Sequence, residues 1–253
     1  MLIKAGEIIK NSWGIYFRNF KKLLPYMLAI LAPNIILALS GLFSLYLLKY
    51  TPDGFFMVLN NIVILIIIAA ALVFTLWTAM AAIRCVRNLA TGQPAATWKE
   101  NMSATSRLIW PFIYTSLLVG LVVLGGTVLL IIPGIIFSIW YCFTTYAVIL
   151  DDKKGREAMR ASKALVTGRW WSILWRLLAP GLFFALVTIL VNFVLSYLCL
   201  LAFGNNASAM QVANGAVSGI VNALAAPLTA LVVVILYLDA KAKPVETTPT
   251  MIS

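Results

Sequence analysis

The sequence contains no histidine and only eight acidic residues among its 253 positions. Without histidine, the chain lacks the side chain that most often serves as general base, metal ligand or pH switch. The three cysteines, Cys85, Cys142 and Cys199, stand far apart and form no Cys-x-x-Cys motif. We therefore expect no zinc site, no disulfide framework and no cofactor.

Charge is also scarce, because only 11% of the residues are Asp, Glu, Lys or Arg while 62% are apolar. Soluble globular domains carry about 25% charged and about 45–50% apolar residues. A single compact core cannot bury so large an apolar excess, and the mean hydropathy of +0.99 agrees with this. The composition predicts an integral membrane protein.

Six stretches are long enough to cross a hydrocarbon core about 30 Å thick as helices, which takes roughly 17–25 residues each. None of the six contains an acidic or basic residue. Their apolar runs are continuous rather than alternating, which favours helices over strands. The sequence thus predicts an all-α, polytopic fold with six transmembrane helices, at residues 23–48, 57–83, 108–130, 134–150, 177–203 and 217–238.

The connection between the third and fourth spans has no polar loop, since the chain stays apolar from Leu117 to Ile139. We place the turn at Pro133-Gly134, because proline suits the first turn of a helix and glycine tolerates a tight bend. Gly125-Gly126 is the competing position for this turn.

Basic residues fall on alternate sides of the six predicted spans. Of the 19 lysines and arginines, 18 lie in residues 1–22, in loops 84–107 and 151–176, or in the C-terminal tail, and Lys49 is the exception. Lysine and arginine are enriched in cytoplasmic loops of membrane proteins. The distribution therefore predicts that both chain termini are cytoplasmic.

The segments outside the spans differ in character. Residues 1–22 show apolar side chains every three or four positions, which predicts an amphipathic helix lying at the membrane interface. Trp13, Tyr16 and Phe17 are among its side chains expected in the headgroup layer. Residues 23–240 form the predicted transmembrane domain, and residues 241–253 are predicted to be a disordered cytoplasmic tail.

A second amphipathic helix is predicted within loop 151–176. Asp151 and Asp152 would precede it, where the positive end of the helix dipole stabilises carboxylates. Three cations then recur at a spacing of four and three residues, so they share one face. This face suits lipid phosphates, and it equally fits the general enrichment of cations in cytoplasmic loops. The candidate anionic-lipid contacts are Arg156, Arg160, Lys163, Arg169 and Arg176.

Each odd-numbered span is preceded by a cation four residues before a proline, at Lys21–Pro25, Arg107–Pro111 and Arg176–Pro180. The chain therefore looks like three copies of one unit, a basic stretch followed by a helix hairpin. Two explanations stay open at this point. One is true internal repetition, and the other is convergent chemistry at the interface, where cations reach the lipid headgroups.

Motifs in the second half of the chain carry a family resemblance. A Pro-Gly-Ile sequence at 133–135 begins an apolar span, and the runs Asp151-Asp-Lys-Lys-Gly155 and Ala158-Met-Arg-Ala-Ser162 follow it. With a last span that ends in Leu236-Tyr-Leu-Asp-Ala-Lys241, the chain resembles the YciC family of bacterial inner-membrane proteins. That family is related to the membrane domain found next to some glycerophosphodiester phosphodiesterases.

The resemblance is firmest over residues 130–175 and implies a six-helix integral protein of the bacterial inner membrane. It implies no defined molecular activity. The phosphodiesterase activity does not carry over, because that enzyme is a soluble barrel with paired histidines and this chain has none.

Catalytic and transport functions leave few traces in the sequence. Ser162 and Lys163 are adjacent on a predicted helix and so do not face each other, and we expect no enzyme. Polar residues within the spans are candidates for an intramembrane polar path. The competing explanation is that their amides join neighbouring helices by hydrogen bonds. The candidate path residues are Asn34, Asn192 and Asn222.

The sequence thus predicts a non-catalytic membrane protein that acts through membrane lipids or protein partners, in envelope maintenance or lipid handling. The alternative is an exporter of small molecules or peptides, including a self-immunity protein. No nucleic acid partner is expected. Small residues in the last span, among them Gly215 and Gly219, suit either the interior of the bundle or a homodimer seam.

Overall fold

The computed structural model describes residues 2–50, 54–94 and 96–244, and this described part is helical without strands. The all-α prediction is confirmed. Six segments are long and apolar enough to cross a membrane, at Phe20–Gly41, Gly54–Ala90, Ile109–Leu129, Ile131–Asp151, Trp170–Phe203 and Ala209–Ala242. The helices are α1 (Ala5–Arg18), α2 (Phe20–Tyr50), α3 (Gly54–Ala90), α4 (Trp98–Ser106), α5 (Ile109–Leu129), α6 (Ile131–Trp140), α7 (Thr144–Asp151), α8 (Gly155–Val166), α9 (Trp170–Phe203) and α10 (Ala207–Ala242).

The long helices turn most of their apolar side chains outward. In the most apolar stretches of α3 and α9, only 6% of the residues are buried within the protein. Soluble monomers do not expose apolar surface on this scale, because water solvates it unfavourably. The bilayer is therefore the solvent of these helices, and the chain is a multi-pass membrane protein.

Four long helices, α2, α3, α9 and α10, pack together as the central bundle. α10 lies innermost, since it packs against the other three and is the most buried of the long helices. A β-carbon at Gly219 would lie 3.4 Å from Leu31 Cδ1, so glycine at this position lets α10 approach α2 closely. Gly219 thus serves the interior of the bundle, whereas Gly215 is exposed, and the homodimer seam stays a prediction.

The short helices α1, α4, α7 and α8 gather at one end of this bundle, where α2 and α9 begin and α3 and α10 finish. We call it the charged end. One buried apolar cluster there joins α1 to α2, α3 and α10, and a second joins α1 to α8, α9 and α10. The backbone N–H of Ile3 donates to Asp239 Oδ2 at 2.7 Å, which ties the start of the chain to the last helix.

The predicted interfacial helix over residues 1–22 is interrupted at Asn19, where α1 stops and α2 begins. Trp13 faces outward with 42% of its surface exposed. Tyr16 is buried instead, and its hydroxyl donates to the carbonyl of Leu224 at 3.1 Å. The prediction that Tyr16 lies in the headgroup layer is therefore wrong, because α1 packs on the bundle.

The predicted loop 84–107 is largely helical, since it contains the last turns of α3 and all of α4. At the C-terminus, α10 continues through Ala242, so the first two residues of the predicted disordered tail belong to a helix. The rest of that prediction falls mainly on residues 245–253, which lie outside the described residues.

α5 and α6 form a tight antiparallel hairpin in which Leu130 is the only residue outside a helix. The turn predicted at Pro133-Gly134 is wrong, and so is the competing position at Gly125-Gly126. Both pairs lie inside helices. The chain reverses at Leu130, which has an extended backbone, so the turn needs no glycine.

Glycine serves close packing in this hairpin. A β-carbon at Gly134 would overlap the side chain of Thr127, and one at Gly126 would lie 2.6 Å from Phe137 Cδ2. The two helices therefore touch at backbone distance near the turn, which no larger residue at these positions allows.

The predicted fourth span is a broken helix, because α6 finishes at Trp140 and α7 begins only at Thr144. The α5–α6 hairpin packs against α7 and α8, and α6 also contacts α9, whereas the hairpins α2–α3 and α9–α10 pack on one another. Internal repetition stays a prediction, and the middle hairpin is arranged differently from the other two.

Candidate functional site

The candidate site is built by α8, which packs against α5, α6 and α7. Its first residue, Gly155, has a positive φ of 49°, and its N–H donates to Thr115 Oγ1 on α5 at 2.8 Å. A side chain at Gly155 would also press against Tyr114, because a β-carbon there lies 3.1 Å from the ring. Glycine thus fixes the start of α8 on the surface of α5.

The two carboxylates precede α8 as predicted, but neither of them caps it. Asp151 is the last residue of α7, and Asp152 follows with a positive φ of 55° as the C-cap of that helix. Asp151 accepts hydrogen bonds from the Tyr237 hydroxyl and from Lys241 Nζ, both at 2.8 Å. Asp152 pairs with Arg107 at 3.4 Å. Both carboxylates belong to α7, a helix not foreseen as a separate element, which contains the first and is capped by the second.

Ser162 joins α8 to the break in the fourth span. Its hydroxyl donates to the carbonyl of Trp140 at 2.7 Å and accepts from the N–H of Phe143 at 3.1 Å. Ser162 is fully buried. A helix break leaves backbone groups unpaired, and burial makes unpaired groups costly. Sequence reasoning missed this role, although the motif Ala158-Met-Arg-Ala-Ser162 contains the residue.

The three predicted cations are exposed on α8, beside its buried side, and all three line one cavity. The cavity has a volume of about 450 Å³. One wall is cationic and comes from α8, and the other is apolar and comes from α5. Its lining residues are Leu118, Val122, Tyr141, Arg156, Met159, Arg160 and Lys163.

These cations form no ion pair with an acidic side chain among the described residues. In the part of the chain that the structure describes, the ion pairs are Arg107–Asp152, Lys241–Asp151 and Lys243–Asp239, and none of them includes a cavity residue. Lys163 Nζ lies 4.3 Å from the centre of the Trp140 ring, a cation–π contact that leaves its charge in place. The cavity therefore suits a molecule with an anionic head and an apolar body.

The other two candidate lipid contacts hold the protein's own backbone. Arg169 donates to the carbonyl of Ala240 at 2.6 Å, and burial lowers the pKa of its guanidinium while nearby Asp239 opposes that shift. Arg176 donates to the carbonyls of Ile3 at 2.6 Å and Leu2 at 3.3 Å. Neither residue is part of the cavity lining, and their contact with lipid stays a prediction.

The three asparagines of the candidate polar path lie on different helices. The side-chain amide of Asn34 donates to Ile30 O at 3.1 Å, and that of Asn192 donates to Thr188 O at 2.9 Å, each within its own helix. Asn34 and Asn222 are exposed on the outside of the protein. None of the three lines the α8 cavity or the cavity at residues 200–209. The polar path stays a prediction.

No curated protein and no solved structure matches the chain. A protein family described as a domain of unknown function, DUF7847, matches residues 102–240. The match covers more than half of the chain and contains α5 to α9, most of α10 and every residue that lines the α8 cavity. The chain therefore belongs to the DUF7847 family.

Proposed function

We propose that this chain is a non-catalytic protein of the bacterial inner membrane that binds an anionic phospholipid in the α8 cavity. Its cellular role would then lie in lipid handling or envelope maintenance. The observation that carries the proposal is the combination of three α8 cations, which form no ion pair among the described residues, with an apolar wall on α5.

The chemistry of the two walls matches the two parts of a phospholipid. Arg156 and Arg160 offer planar guanidinium groups, which bind phosphate oxygens in pairs, and Lys163 adds a third positive charge. Leu118 and Val122 offer apolar surface to an acyl chain. Each basic residue near an anionic leaflet contributes about 1 kcal/mol, so the three together favour an anionic over a zwitterionic headgroup by about 3 kcal/mol.

The proposal places the charged end in the cytoplasm, with both chain termini. The distribution of 18 of the 19 cations supports this orientation, because cytoplasmic segments accumulate lysine and arginine. The cytoplasmic leaflet is also where anionic lipids give the membrane surface its negative potential. The resemblance to the YciC family, over residues 130–175, falls inside the matched family region and belongs to the same proposal.

The test is native mass spectrometry of the detergent-extracted protein with phosphatidylglycerol and, separately, phosphatidylcholine. We expect one retained phosphatidylglycerol and its loss when Arg156, Arg160 and Lys163 are all replaced by Gln. A matched control replaces Lys10, Lys21 and Lys99 by Gln, which removes the same charge from exposed positions outside the cavity.

The control variant should keep the bound lipid. Retention by the cavity variant, or equal loss from both variants, would contradict the proposed site. The predicted alternative, an exporter, has no feature of the described structure in its favour and stays a prediction.

A further inference from the structure

The tip of the α5–α6 hairpin presents only apolar groups to its surroundings. From Leu117 to Phe137 the sole side chain with a polar atom is Thr127, whose hydroxyl donates to Val123 O at 2.9 Å within α5. The five residues around the turn are 68–85% exposed. They are Val128, Leu129, Leu130, Ile131 and Ile132.

The turn at the opposite end of the central bundle is built differently. Between α9 and α10 the chain reads Gly204-Asn205-Asn206, and Asn206 caps α10 by accepting a hydrogen bond from the N–H of Ala209 at 3.0 Å. Such polar residues suit water or headgroups. The apolar tip at Leu130 suits hydrocarbon, because exposed Val, Leu and Ile side chains are poorly solvated by water.

The length of α6 limits how far the tip reaches. α6 has 10 residues and is about 15 Å long, which is half of a hydrocarbon core about 30 Å thick. By comparison, α9 has 34 residues and is about 51 Å long. α6 alone is therefore too short to connect the two surfaces of the membrane.

α6 instead finishes at the charged end. Trp140, its last residue, is bonded to Ser162 of α8, and Phe143 lies 5.6 Å from the Tyr237 ring, centre to centre. Tyr237 in turn bonds Asp151, which also binds Lys241. The hairpin is therefore attached to the charged end, and its turn lies about half a membrane thickness away from that end.

The partner helix α5 agrees with this depth. Its first half is held at the charged end, because Leu108, just before α5, packs against Ile149 of α7 and Thr115 bonds the start of α8. Only its second half pairs with α6 beyond these contacts. Length and composition allow α5 and the combined segment Ile131–Asp151 to cross a membrane, but their packing fixes them at one side of it.

We propose that α5 and α6 form a re-entrant hairpin that enters the membrane from the charged end, turns at Leu130 within the hydrocarbon, and returns to the same side. The surface it presents fits the acyl chains of a single leaflet. That this leaflet is cytoplasmic rests on the orientation proposed above. The membrane is then crossed by the four helices of the central bundle.

Part of the backbone at the turn is paired within the hairpin itself. The N–H of Leu130 donates to Gly126 O at 3.0 Å, and its carbonyl accepts from the Gly134 N–H at 3.5 Å. Pro133 has no N–H to satisfy. The distribution of cations fits a hairpin that crosses the membrane as well as one that does not. The turn carries no cation, and the number of crossings is even in both arrangements, six or four.

Cysteine accessibility tests the proposal in a chain whose Cys85, Cys142 and Cys199 are replaced by Ala. Single cysteines are placed at the tip (Ile131→Cys), at the far turn (Asn205→Cys) and at the charged end (Lys154→Cys). Each variant is treated with a membrane-impermeant maleimide in intact cells and in inside-out vesicles. A nitroxide at position 131 then reports depth through its relative access to oxygen and to a water-soluble nickel complex.

We expect Asn205→Cys to react in cells, Lys154→Cys in inside-out vesicles, and Ile131→Cys in neither until detergent is added. The nitroxide should prefer oxygen, as a probe near the membrane centre does. Reaction of Ile131→Cys from the same side as Asn205→Cys, or nickel access at position 131, would overturn the re-entrant hairpin.

Exchanged sides for Asn205→Cys and Lys154→Cys would overturn the proposed orientation while leaving the hairpin re-entrant. If the cysteine-free chain does not fold, a polar epitope inserted after Leu130 or after Asn205 of the natural chain replaces it. Display of the epitope from position 130 on the far side of the membrane overturns the proposal, and folding with display only from position 205 supports it.

Discussion

Single polar side chains hold the helix ends of this protein together. Ser162 bridges the break between α6 and α7, Asp151 binds Tyr237 and Lys241, and Arg176 binds the carbonyls of the first residues. Each of them pairs groups that short helices would otherwise leave unsatisfied away from water.

Replacing Ser162 by Ala should destabilise the junction between α8 and the broken fourth span. The carbonyl of Trp140 and the N–H of Phe143 would both lose their partner in a buried place, which costs about 1–3 kcal/mol for each unsatisfied group. Thermal unfolding in detergent measures the loss.

The matched control for this variant is Ser106→Ala, since the Ser106 hydroxyl bonds only Ser103 O at an exposed position. We expect its unfolding temperature to match that of the natural chain. Equal stability of the Ser162 and Ser106 variants would show that the bridge at the helix break contributes nothing.

At the scale of the element, the α5–α6 hairpin depends on close approach rather than on turn chemistry. Its helices meet at Gly126 and Gly134, where a methyl group has no room. Without water to drive apolar surfaces together, helices in a membrane associate through such close packing.

Replacing Gly134 by Ala should force the two helices of the hairpin apart and lower the stability by about 1–3 kcal/mol, the usual range for overpacking. Gly125→Ala in the same hairpin is the control, because nothing lies within 4 Å of a β-carbon there. Thermal unfolding of both variants separates the two outcomes. A Gly134→Ala protein as stable as the control would mean that the hairpin packs less tightly than described.

Hydropathy predicted the existence of every long helix, because a run of about twenty apolar residues has few other stable arrangements in a membrane. The spacing of Arg156, Arg160 and Lys163 likewise predicted a shared face, and the three line one cavity. The depth of the hairpin was not predictable this way. A run of leucine and isoleucine has the same hydropathy whether it ends in the middle of a bilayer or crosses it completely. Only the contacts of Trp140 and Thr115 locate the hairpin.

The junction of α7 and α8 escaped prediction for a related reason. Carboxylates such as Asp151 and Asp152 are favoured before the first turn of a helix. Here, however, Asp152 has a positive φ and ends the preceding helix, α7. That choice depends on Tyr237, Lys241 and Arg107, partners far away in the sequence.

At the scale of the whole molecule, the residues before α1 are bound to α9 and α10 at the charged end. Ile3 donates to Asp239, and Arg176 of α9 holds the carbonyls of Leu2 and Ile3. The N-terminal segment therefore links α9 to α10 at this end of the central bundle.

Replacing Arg176 by Gln should release this segment, because a neutral amide cannot span the same carbonyls with charge-assisted hydrogen bonds. Hydrogen–deuterium exchange of residues 2–8 should speed up in this variant, while exchange in α3 and α10 stays slow. Arg18→Gln, at an exposed position near the end of α1, provides the control. Unchanged exchange in the Arg176 variant would show that the N-terminal segment is held by other contacts.

The bond between Ile3 and Asp239 spans 236 positions of the chain. During synthesis, Ile3 leaves the ribosome long before Asp239, so α1 has to wait at the membrane surface until nearly the whole polypeptide has been translated. The first helix to be made is thus among the last to reach its native neighbours. A chain that stops short of α10 lacks both Asp239 and part of the surface against which α1 packs, and it keeps only the contacts of α1 with earlier helices.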